Sequence, residues 1–324
     1  MLYPIHFKPI IFERIWGGKK LRTLLGKEIG KIENAGESWE ISAVEGAESI
    51  VENGILAGNT LSEITEVYMS DLVGEKVYEQ FGEEFPLLIK FIDANDVLSI
   101  QVHPNDTLAK ERHHAYGKTE MWYVIDAEPD AYVISGFKRD ISQEEYLTYL
   151  HAGNVDELMN KVPAKQGDVF FIPAGRVHAI GKGVFLAEIQ QTSDVTYRIF
   201  DWNRVDKNGN PRELHTEEAL GAIDFKKTSE VKQVYDDKKN RPVNLVDCSY
   251  FTVNLLHIDK PIEREYEFID SFKILMLVSG KAVITYQGND FSMEEGKTVL
   301  VPALFEEITI VPKECCKILE VYIK

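Results

Sequence analysis

One eight-residue pattern occurs twice in this chain and constrains its fold more than any other feature of the sequence. Gly167-Asp-Val-Phe-Phe-Ile-Pro-Ala174 recurs as Gly296-Lys-Thr-Val-Leu-Val-Pro-Ala303, at a constant offset of 129 residues. In both copies the glycine suits a tight turn, the apolar run suits a buried strand, and the proline suits the end of that strand. The repeat therefore predicts two copies of one β fold.

The two copies differ shortly after the repeated pattern. His178 follows the first copy, whereas the equivalent position after the second copy is Glu307, with no histidine nearby. Because imidazole is a common metal ligand, we expect a metal site in the first copy only. The second copy is then expected to serve packing or to shape the cleft.

Most of the remaining sequence consists of short segments rich in β-branched and aromatic residues and bounded by Gly, Pro, Asn or Asp. Such segments are predicted strands, and they cover residues 37–44, 85–92, 97–103, 120–126, 131–135, 169–172 and 184–190. Helical signals occur instead in residues 59–68, residues 106–116, and residues 140–150 together with 155–160. This pattern favours a mainly β fold, a sandwich or barrel with helical insertions.

The most polar run of the chain covers residues 226–242 and ends in a proline, which makes it the best linker candidate. Strands resume after it. We therefore predict a domain of residues 1–240 that carries the metal site and the helical insertions, and a second domain of residues 241–324 without a metal site. A chain of 324 residues is long enough to form two such cores.

The acidic composition limits the partners of this chain. A formal net charge of -17 repels the phosphate backbone of nucleic acids and anionic membranes, so we expect neither as a partner. The N-terminus lacks the basic and then apolar segments of a signal peptide, and no apolar stretch is long enough to span a membrane, so a cytoplasmic location is expected. Cys248, Cys315 and Cys316 match neither a zinc ribbon nor a disulfide framework and are interpreted as reduced and structural.

Polar and apolar side chains alternate between Ser99 and His103. On an extended strand Ser99, Gln101 and His103 therefore share one face. Glu120 begins another predicted strand, in which a buried carboxylate would need a partner. Together with His178, these residues offer the nitrogen and oxygen ligands that suit zinc and leave a position open for a substrate.

Four longer motifs extend this pattern. They are Ser99-Ile-Gln-Val-His-Pro-Asn-Asp, Gly117-Lys-Thr-Glu-Met-Trp, Phe171-Ile-Pro-Ala-Gly-Arg-Val-His-Ala and Thr196-Tyr-Arg-Ile-Phe-Asp-Trp. With the repeat, they resemble the cupin superfamily, and more specifically the type I mannose-6-phosphate isomerases in their shorter bacterial form. The likeness covers roughly residues 14 to 204, and the second repeat extends it to the end of the chain.

The resemblance implies two cupin jelly-roll domains and an enzyme that interconverts mannose 6-phosphate and fructose 6-phosphate through an enediol intermediate. One zinc ion per chain is implied, with the ligands Gln101, His103, Glu120 and His178. The implied catalytic residues are Arg198, Lys118 and Glu188, and those that bind the sugar phosphate are Ser99, Lys118 and Arg198. Glu188 and Lys118 are both candidates for the proton-transfer base.

Several of these residues also allow simpler roles. Arg198 could pair with Asp194 or Asp201, and Glu188 could orient a neighbouring group instead of carrying a proton. Lys118 and Ser99 could be an ordinary solvated lysine and a plain strand serine. The aromatic and histidine residues Trp16, Trp39, Trp122, His113 and His114 are expected to pack in the core or to face solvent unless they edge a sugar site.

Two rival functions remain open at this point. One is a metal cupin that acts on another sugar phosphate or as an oxygenase, although a neutral Gln101 ligand favours a metal without redox chemistry. The other is a sugar-binding or regulatory cupin without catalytic activity, which the retained Lys118, Glu188 and Arg198 disfavour.

Overall fold

Antiparallel strands form most of the first half of the chain, and helices are inserted between them. The structure is a computed structural model that describes residues 2–205 and 208–324. Up to residue 220 the elements are β1 (Ile5–His6), β2 (Ile10–Gly18), α1 (Lys20–Thr23), β3 (Ala35–Ile41), α2 (Leu61–Val73), α3 (Glu75–Phe81), β4 (Leu87–Ala94), β5 (Ile100–Val102), α4 (Asp106–His113), β6 (Glu120–Ala127), β7 (Tyr132–Phe137), α5 (Gln143–His151), β8 (Met159–Pro163), β9 (Val169–Ile172), β10 (His178–Ile180), β11 (Val184–Gln191), β12 (Tyr197–Phe200) and α6 (Thr216–Leu220). Short 3-10 helices lie at Gly54–Leu56 and Val155–Leu158.

The second half consists of strands joined by short turns. They are β13 (Pro242–Asp247), β14 (Thr252–Ile258), β15 (Ile262–Glu265), β16 (Lys273–Ser279), β17 (Lys281–Tyr286), β18 (Asn289–Glu294), β19 (Thr298–Val301), β20 (Glu307–Pro312) and β21 (Cys316–Tyr322). The chain is thus mainly β with its helices confined to the first part, and the predicted fold class of two jelly rolls is confirmed.

Each half folds as a pair of sheets. In the first half the order β2-β3-β4-β11-β6-β9 faces the order β12-β5-β10-β7-β8. In the second half a sheet of order β19-β16-β21-β14-β13 accompanies the sheet β15-β20-β17-β18. Alternating side chains of such paired sheets fill the space between them, which is the architecture of a jelly roll.

One apolar cluster spans both halves, and two smaller clusters lie within the first half. β1 from the start of the chain pairs with β19, so that Ile5 lies opposite Leu300 in the second sandwich. Phe85 and Phe272, one from each half, pack with their ring centroids 4.5 Å apart. The division at residues 240 and 241 stays a prediction, but the boundary between the two sandwiches is a packed apolar interface.

The repeated pattern forms equivalent strands, as predicted. β9 and β19 keep the offset of the sequence repeat at both ends, and each follows a glycine with positive φ, 86° at Gly167 and 83° at Gly296. Such a φ favours glycine over residues with a side chain. The histidine that begins β10 is buried, whereas Glu307, which begins β20, is exposed.

The structure modifies several predicted elements. The helix predicted from residue 59 begins one residue after Thr60, whose side chain accepts a hydrogen bond from Glu63 N while the Glu63 carboxylate accepts one from Thr60 N. The helix predicted over 155–160 is only a 3-10 turn, because Met159 already begins β8. The strand predicted over 97–103 is confined to β5. Among the described residues, none of the helices combines the length and apolar content needed to cross a membrane.

The polar run between the halves contains no named helix or strand before β13 begins at Pro242, and it lies against the first sandwich. Gln233 N donates a hydrogen bond to Val169 O at 2.9 Å, and Tyr235 Oη donates one to Gly167 O at 2.7 Å. The run therefore lies alongside β9 in space, and this position brings its polar side chains close to both halves of the molecule.

Candidate metal centre

Three of the four predicted metal ligands meet inside the first sandwich. His103 follows β5 directly, Glu120 begins β6, and His178 begins β10. All three side chains are at most 1% exposed, and one ligand atom from each lies within 4.8 Å of the others. The sheet register explains the convergence, because β10 pairs with β5 and places His178 opposite Gln101.

The hydrogen bonds of the two histidines fix which nitrogen faces the centre. His103 Nδ1 lies 3.0 Å from Val195 O, and His178 Nδ1 lies 2.8 Å from Arg176 O. Because a carbonyl oxygen only accepts hydrogen bonds, each Nδ1 must carry the hydrogen, and each Nε2 presents a lone pair to the centre.

The atoms that face the centre are all acceptors. His103 Nε2, His178 Nε2 and both carboxylate oxygens of Glu120 are buried without a hydrogen-bond partner. Glu120 Oε1 lies 3.3 Å from His178 Nε2, and Glu120 Oε2 lies 3.5 Å from His103 Nε2. With Glu120 ionised, these four atoms are buried acceptors without a hydrogen-bond donor, an arrangement that is costly unless a cation binds among them.

The protonation states of these residues are consistent with a site built for a cation. Burial, together with the negative charge of Glu188, raises the pKa of Glu120 to about 8. Burial lowers the pKa of His178 to about 4 and that of His103 well below its usual value. Without a cation the site therefore avoids buried charge, since desolvation favours the neutral form of each group.

A cavity of about 670 Å³ adjoins this centre. Its lining includes the predicted residues Ser99, Gln101, Lys118, Glu188 and Arg198, the aromatic residues Trp16 and Trp39, and the charged residues Arg14, Glu37, Lys90 and Arg212 that the sequence analysis did not select. Trp122, the third tryptophan considered from the sequence, is fully buried, and its ring lies 5.5 Å from the His178 ring at an interplanar angle of 72°. A volume of this size is typical of small-molecule sites.

Lys90 and Glu188 form a buried ion pair on the cavity wall. Lys90 Nζ lies 3.1 Å from Glu188 Oε2, and Trp122 Nε1 donates a hydrogen bond to Glu188 Oε1 at 3.0 Å. Burial alone would raise the pKa of Glu188, but the charges of Lys90 and Lys118 outweigh burial and lower it. The sequence did carry a signal for Lys90, which is a charged residue between the apolar residues of the first part of β4.

Lys118 and Arg198 both direct charge towards this region. Lys118 precedes β6 instead of belonging to it, yet its Nζ lies 3.6 Å from Glu120 Oε2. Arg198 Nη1 donates a hydrogen bond to Glu213 O at 2.8 Å, and its buried Nε has no partner. Asp201, one alternative partner of Arg198, instead binds Arg212, whose Nε lies 2.7 Å from Asp201 Oδ2.

The histidines of α4 lie outside this cavity lining. His113 Nε2 is 2.8 Å from Tyr197 Oη, and His114 is exposed at the end of the helix with a φ of 54°. The prediction that both face away from the site agrees with this arrangement.

Comparisons with known proteins agree with the geometry. The family described as phosphomannose isomerase type I, catalytic domain, matches residues 5–138, and the mannose-6-phosphate isomerase cupin domain matches residues 242–323. The mannose-6-phosphate isomerase ManA of Bacillus subtilis is 36% identical over 302 residues, which cover 92% of this chain and 93% of that protein. A mannose-6-phosphate isomerase of Streptococcus mutans is 34% identical over 307 residues, or 93% of each chain.

Solved structures show the same fold. The crystal structure of a mannose 6-phosphate isomerase from Bacillus subtilis superimposes with a TM-score of 0.89 at 33% identity, over 99% of this chain and 100% of that one. A putative mannosephosphate isomerase from Archaeoglobus fulgidus gives a TM-score of 0.81 at 24% identity, over 100% of this chain and 99% of that one, which supports the fold alone.

Proposed function

This chain belongs to the type I phosphomannose isomerases, and we propose that it interconverts mannose 6-phosphate and fructose 6-phosphate through an enediol, with one zinc ion bound per chain. It is an aldose-ketose isomerase, which moves a proton between C1 and C2 of a sugar. One observation carries the metal part of the proposal, namely the buried nitrogen and oxygen atoms of His103, Glu120 and His178, which face one another without a hydrogen-bond partner. A cytoplasmic location belongs to the same proposal.

The residues at the centre fit zinc. Two imidazoles and one carboxylate are typical zinc ligands, and Gln101, opposite His178 in the sheet, is proposed as the fourth. A bound zinc ion would supply a Lewis acid for the negative charge that develops on the sugar oxygens. The hydrogen bonds to Val195 O and Arg176 O keep both imidazoles in the orientation that such an ion requires.

The cavity provides the positive charge for an anionic substrate. Although the whole chain is acidic, several cations line this one cavity, and Arg198 and Arg212 lie near each other there. A guanidinium group binds phosphate oxygens in pairs. We therefore assign Arg198 to the sugar phosphate, with Ser99 as a hydrogen-bond donor and Lys118 as a second contact.

Lys118 and Glu188 are the proposed proton carriers. The Glu188 carboxylate is held ionised and oriented by Lys90 and Trp122, so an unprotonated carboxylate lines the cavity wall. Lys118 Nζ stands beside Glu120 and can return a proton to the sugar from the side of the metal ligands. Glu188, as an ionised carboxylate, can therefore act as a general base of fixed position, and the charged Lys118 can act as the acid or proton relay.

A direct assay tests this function. The purified chain, depleted of metal and then loaded with zinc, is incubated with mannose 6-phosphate, and fructose 6-phosphate is measured with a coupled assay. We expect turnover that depends on zinc and is lost in His103→Ala, while the matched variant His151→Ala, which alters an exposed histidine at the end of α5, keeps it. Binding of the sugar without product would support the regulatory alternative. Faster turnover of another hexose phosphate would support a different substrate.

A further inference from the structure

A second cluster of reactive side chains lies on the second sandwich. Cys315 is exposed in the loop just before β21, and its Sγ lies 3.4 Å from Nε2 of His257 on β14. On the opposite side of the imidazole ring, His257 Nδ1 lies 2.7 Å from Asp237 Oδ1. Asp237 comes from the polar run between the two halves, so three separate segments of the chain build this cluster.

The hydrogen bonds of the cluster show which imidazole nitrogen of His257 carries a hydrogen. Since a carboxylate accepts, His257 Nδ1 carries the hydrogen, and the Nε2 lone pair faces the thiol. Lys317 Nζ lies 2.9 Å from the other Asp237 oxygen. Burial alone would raise the pKa of Asp237, but the hydrogen bonds from Lys317 and His257 outweigh it and lower the pKa. An ionised Asp237 orients the imidazole.

We propose that Cys315, His257 and Asp237 form a reactive-thiol site at which Cys315 undergoes thiol-disulfide exchange with a small-molecule disulfide. His257 Nε2 takes the proton from the Cys315 thiol, and the thiolate attacks one sulfur of the disulfide. A new S–S bond forms on Cys315 while the S–S bond of the small molecule breaks. The departing thiolate takes the proton from His257 and leaves as a thiol. The small disulfide is itself the oxidant, so no other reactant is needed.

The position of Cys315 suits this chemistry. The backbone of its loop is held close to Gly280, where an added Cβ would lie 2.6 Å from Cys315 O. Among the charged neighbours, the Lys239 ammonium lies near Cys315 and pairs with Asp259 at 2.8 Å, while Glu314 precedes Cys315 in the loop. A thiol with a nearby base and an open approach is the arrangement of reactive cysteines.

The geometry argues against two simpler readings. His257 contacts Cys315 and Asp237 through opposite nitrogens, so the three groups do not converge on one point as metal ligands would. Cys315 is exposed, which does not favour the structural role that the sequence suggested for it. Cys316 is buried in the core and Cys248 is partly buried, which agrees with structural roles for these two.

Alkylation of the full chain by iodoacetamide tests the proposal. Peptide mass spectrometry with fragment ions that separate Cys315 from Cys316 gives a rate for each cysteine between pH 5 and 9. An ordinary thiol is only about 3% thiolate at pH 7, so the histidine should matter most there. We expect Cys315 to react about tenfold faster at pH 7 than it does in His257→Gln, and the difference between the two proteins should shrink towards pH 9, where an ordinary thiol is largely ionised without a base.

Further variants and a disulfide probe make the test decisive. Asp237→Asn should lower the rate at pH 7 severalfold, and His151→Gln, which removes an exposed imidazole elsewhere, should not change it. Glutathione disulfide should form a mixed disulfide at Cys315 faster than at Cys248, and His257→Gln should slow that reaction as well. Equal rates and equal pH profiles in the wild type, His257→Gln and Asp237→Asn would overturn the proposal. So would labelling of Cys248 by glutathione disulfide as fast as that of Cys315.

Discussion

Lys90 Nζ lies 3.1 Å from Glu188 Oε2 on the wall of the cavity, where the two residues lie directly opposite each other on β4 and β11. Both side chains are buried. Lys90 also donates a hydrogen bond to Gln190 Oε1 at 2.7 Å and lies over the Trp39 ring. Because both charges are desolvated, each depends on the other, and the pair fixes the charge of the wall that faces the substrate.

The first prediction concerns the loss of Lys90. Lys90→Met leaves the buried Glu188 carboxylate without its ion-pair partner, and we expect the free energy of unfolding at pH 7 to fall by about 3–5 kcal/mol. The pKa of Glu188 is lowered in the folded wild type, so the stability it contributes is present above its ordinary pKa and lost as the pH falls through the folded value. The variant should therefore differ less from wild type in acid. Urea unfolding at pH 7 and pH 4 measures this.

Two further variants separate the ion pair from packing. Lys110→Met, on the exposed side of α4, should change the free energy of unfolding by less than about 0.5 kcal/mol. The double variant Lys90→Met/Glu188→Gln should regain part of the lost stability, because the amide that replaces the Glu188 carboxylate carries no charge. If the double variant is as unstable as Lys90→Met, lost packing and not the unpaired carboxylate explains the effect.

The second prediction is that zinc binding releases a proton from Glu120. With its pKa raised to about 8 in the absence of metal, Glu120 is about nine-tenths protonated at pH 7, and zinc requires the carboxylate. The pKa of His178 is lowered to about 4, so this ligand has no proton to release at pH 7. Apparent zinc affinity should thus rise nearly tenfold per pH unit between about pH 6 and 8 and level off above. Calorimetry in buffers of different ionisation enthalpy measures about 0.9 protons per zinc at pH 7 and close to none at pH 9.5. Proton release that stays constant over this range would contradict the assignment.

The sequence predicts the metal centre better than the wall of the cavity. His103, Glu120 and His178 lie in motifs next to predicted strands, and pairing of antiparallel strands brings such motifs together. Arg14 and Arg212 reach the cavity from distant segments of the chain, and neither residue lies in one of these motifs. Their positions depend on tertiary packing, which no local pattern encodes.

The same limit applies to the second half of the chain. The repeated pattern predicts strand β19, and comparison of its two copies shows Glu307 at the position equivalent to the histidine. Both conclusions follow from local sequence. The contact of Cys315 with His257 could not be predicted, since it depends on the register of β14 with β21. Asp237 joins them only because the polar run folds back, and a polar run in sequence indicates no particular partner.

The third prediction compares two buried glutamates. Glu320 has a full set of partners, with Arg264 Nε at 2.8 Å, Tyr266 Oη at 2.7 Å and Asn254 Nδ2 at 3.0 Å. Glu120 has no hydrogen-bond partner. We therefore expect Glu320→Gln to lower the free energy of unfolding by about 3–5 kcal/mol, because Arg264 loses its carboxylate. Glu120→Gln should cost less than about 1 kcal/mol in metal-free protein at pH 7, where Glu120 is already mostly neutral.

The response of each variant to zinc completes the comparison of the two glutamates. Because a ligand that binds only the folded state stabilises it, zinc should raise the melting temperature of wild type and of Glu320→Gln but not of Glu120→Gln. Thermal unfolding with and without zinc measures both effects. An equal response of the two glutamate variants to zinc would remove Glu120 from the metal site.

The last prediction assigns Arg198 to substrate binding and not to metal binding. Its guanidinium lines the cavity, is held by Glu213 O at 2.8 Å, and keeps a buried Nε without a partner. Arg198→Ala should retain zinc, measured by elemental analysis, and lose about 10²- to 10³-fold in kcat/KM for mannose 6-phosphate, since one charged donor to the reacting substrate has an effect of this size. Arg198→Lys should recover little, because an ammonium group cannot bind oxygens in pairs. Arg139→Ala, which removes an exposed arginine paired with Glu145, is the matched control and should keep full activity. Normal turnover in Arg198→Ala would exclude it from the site, and loss of zinc together with activity would show that it supports the metal centre instead.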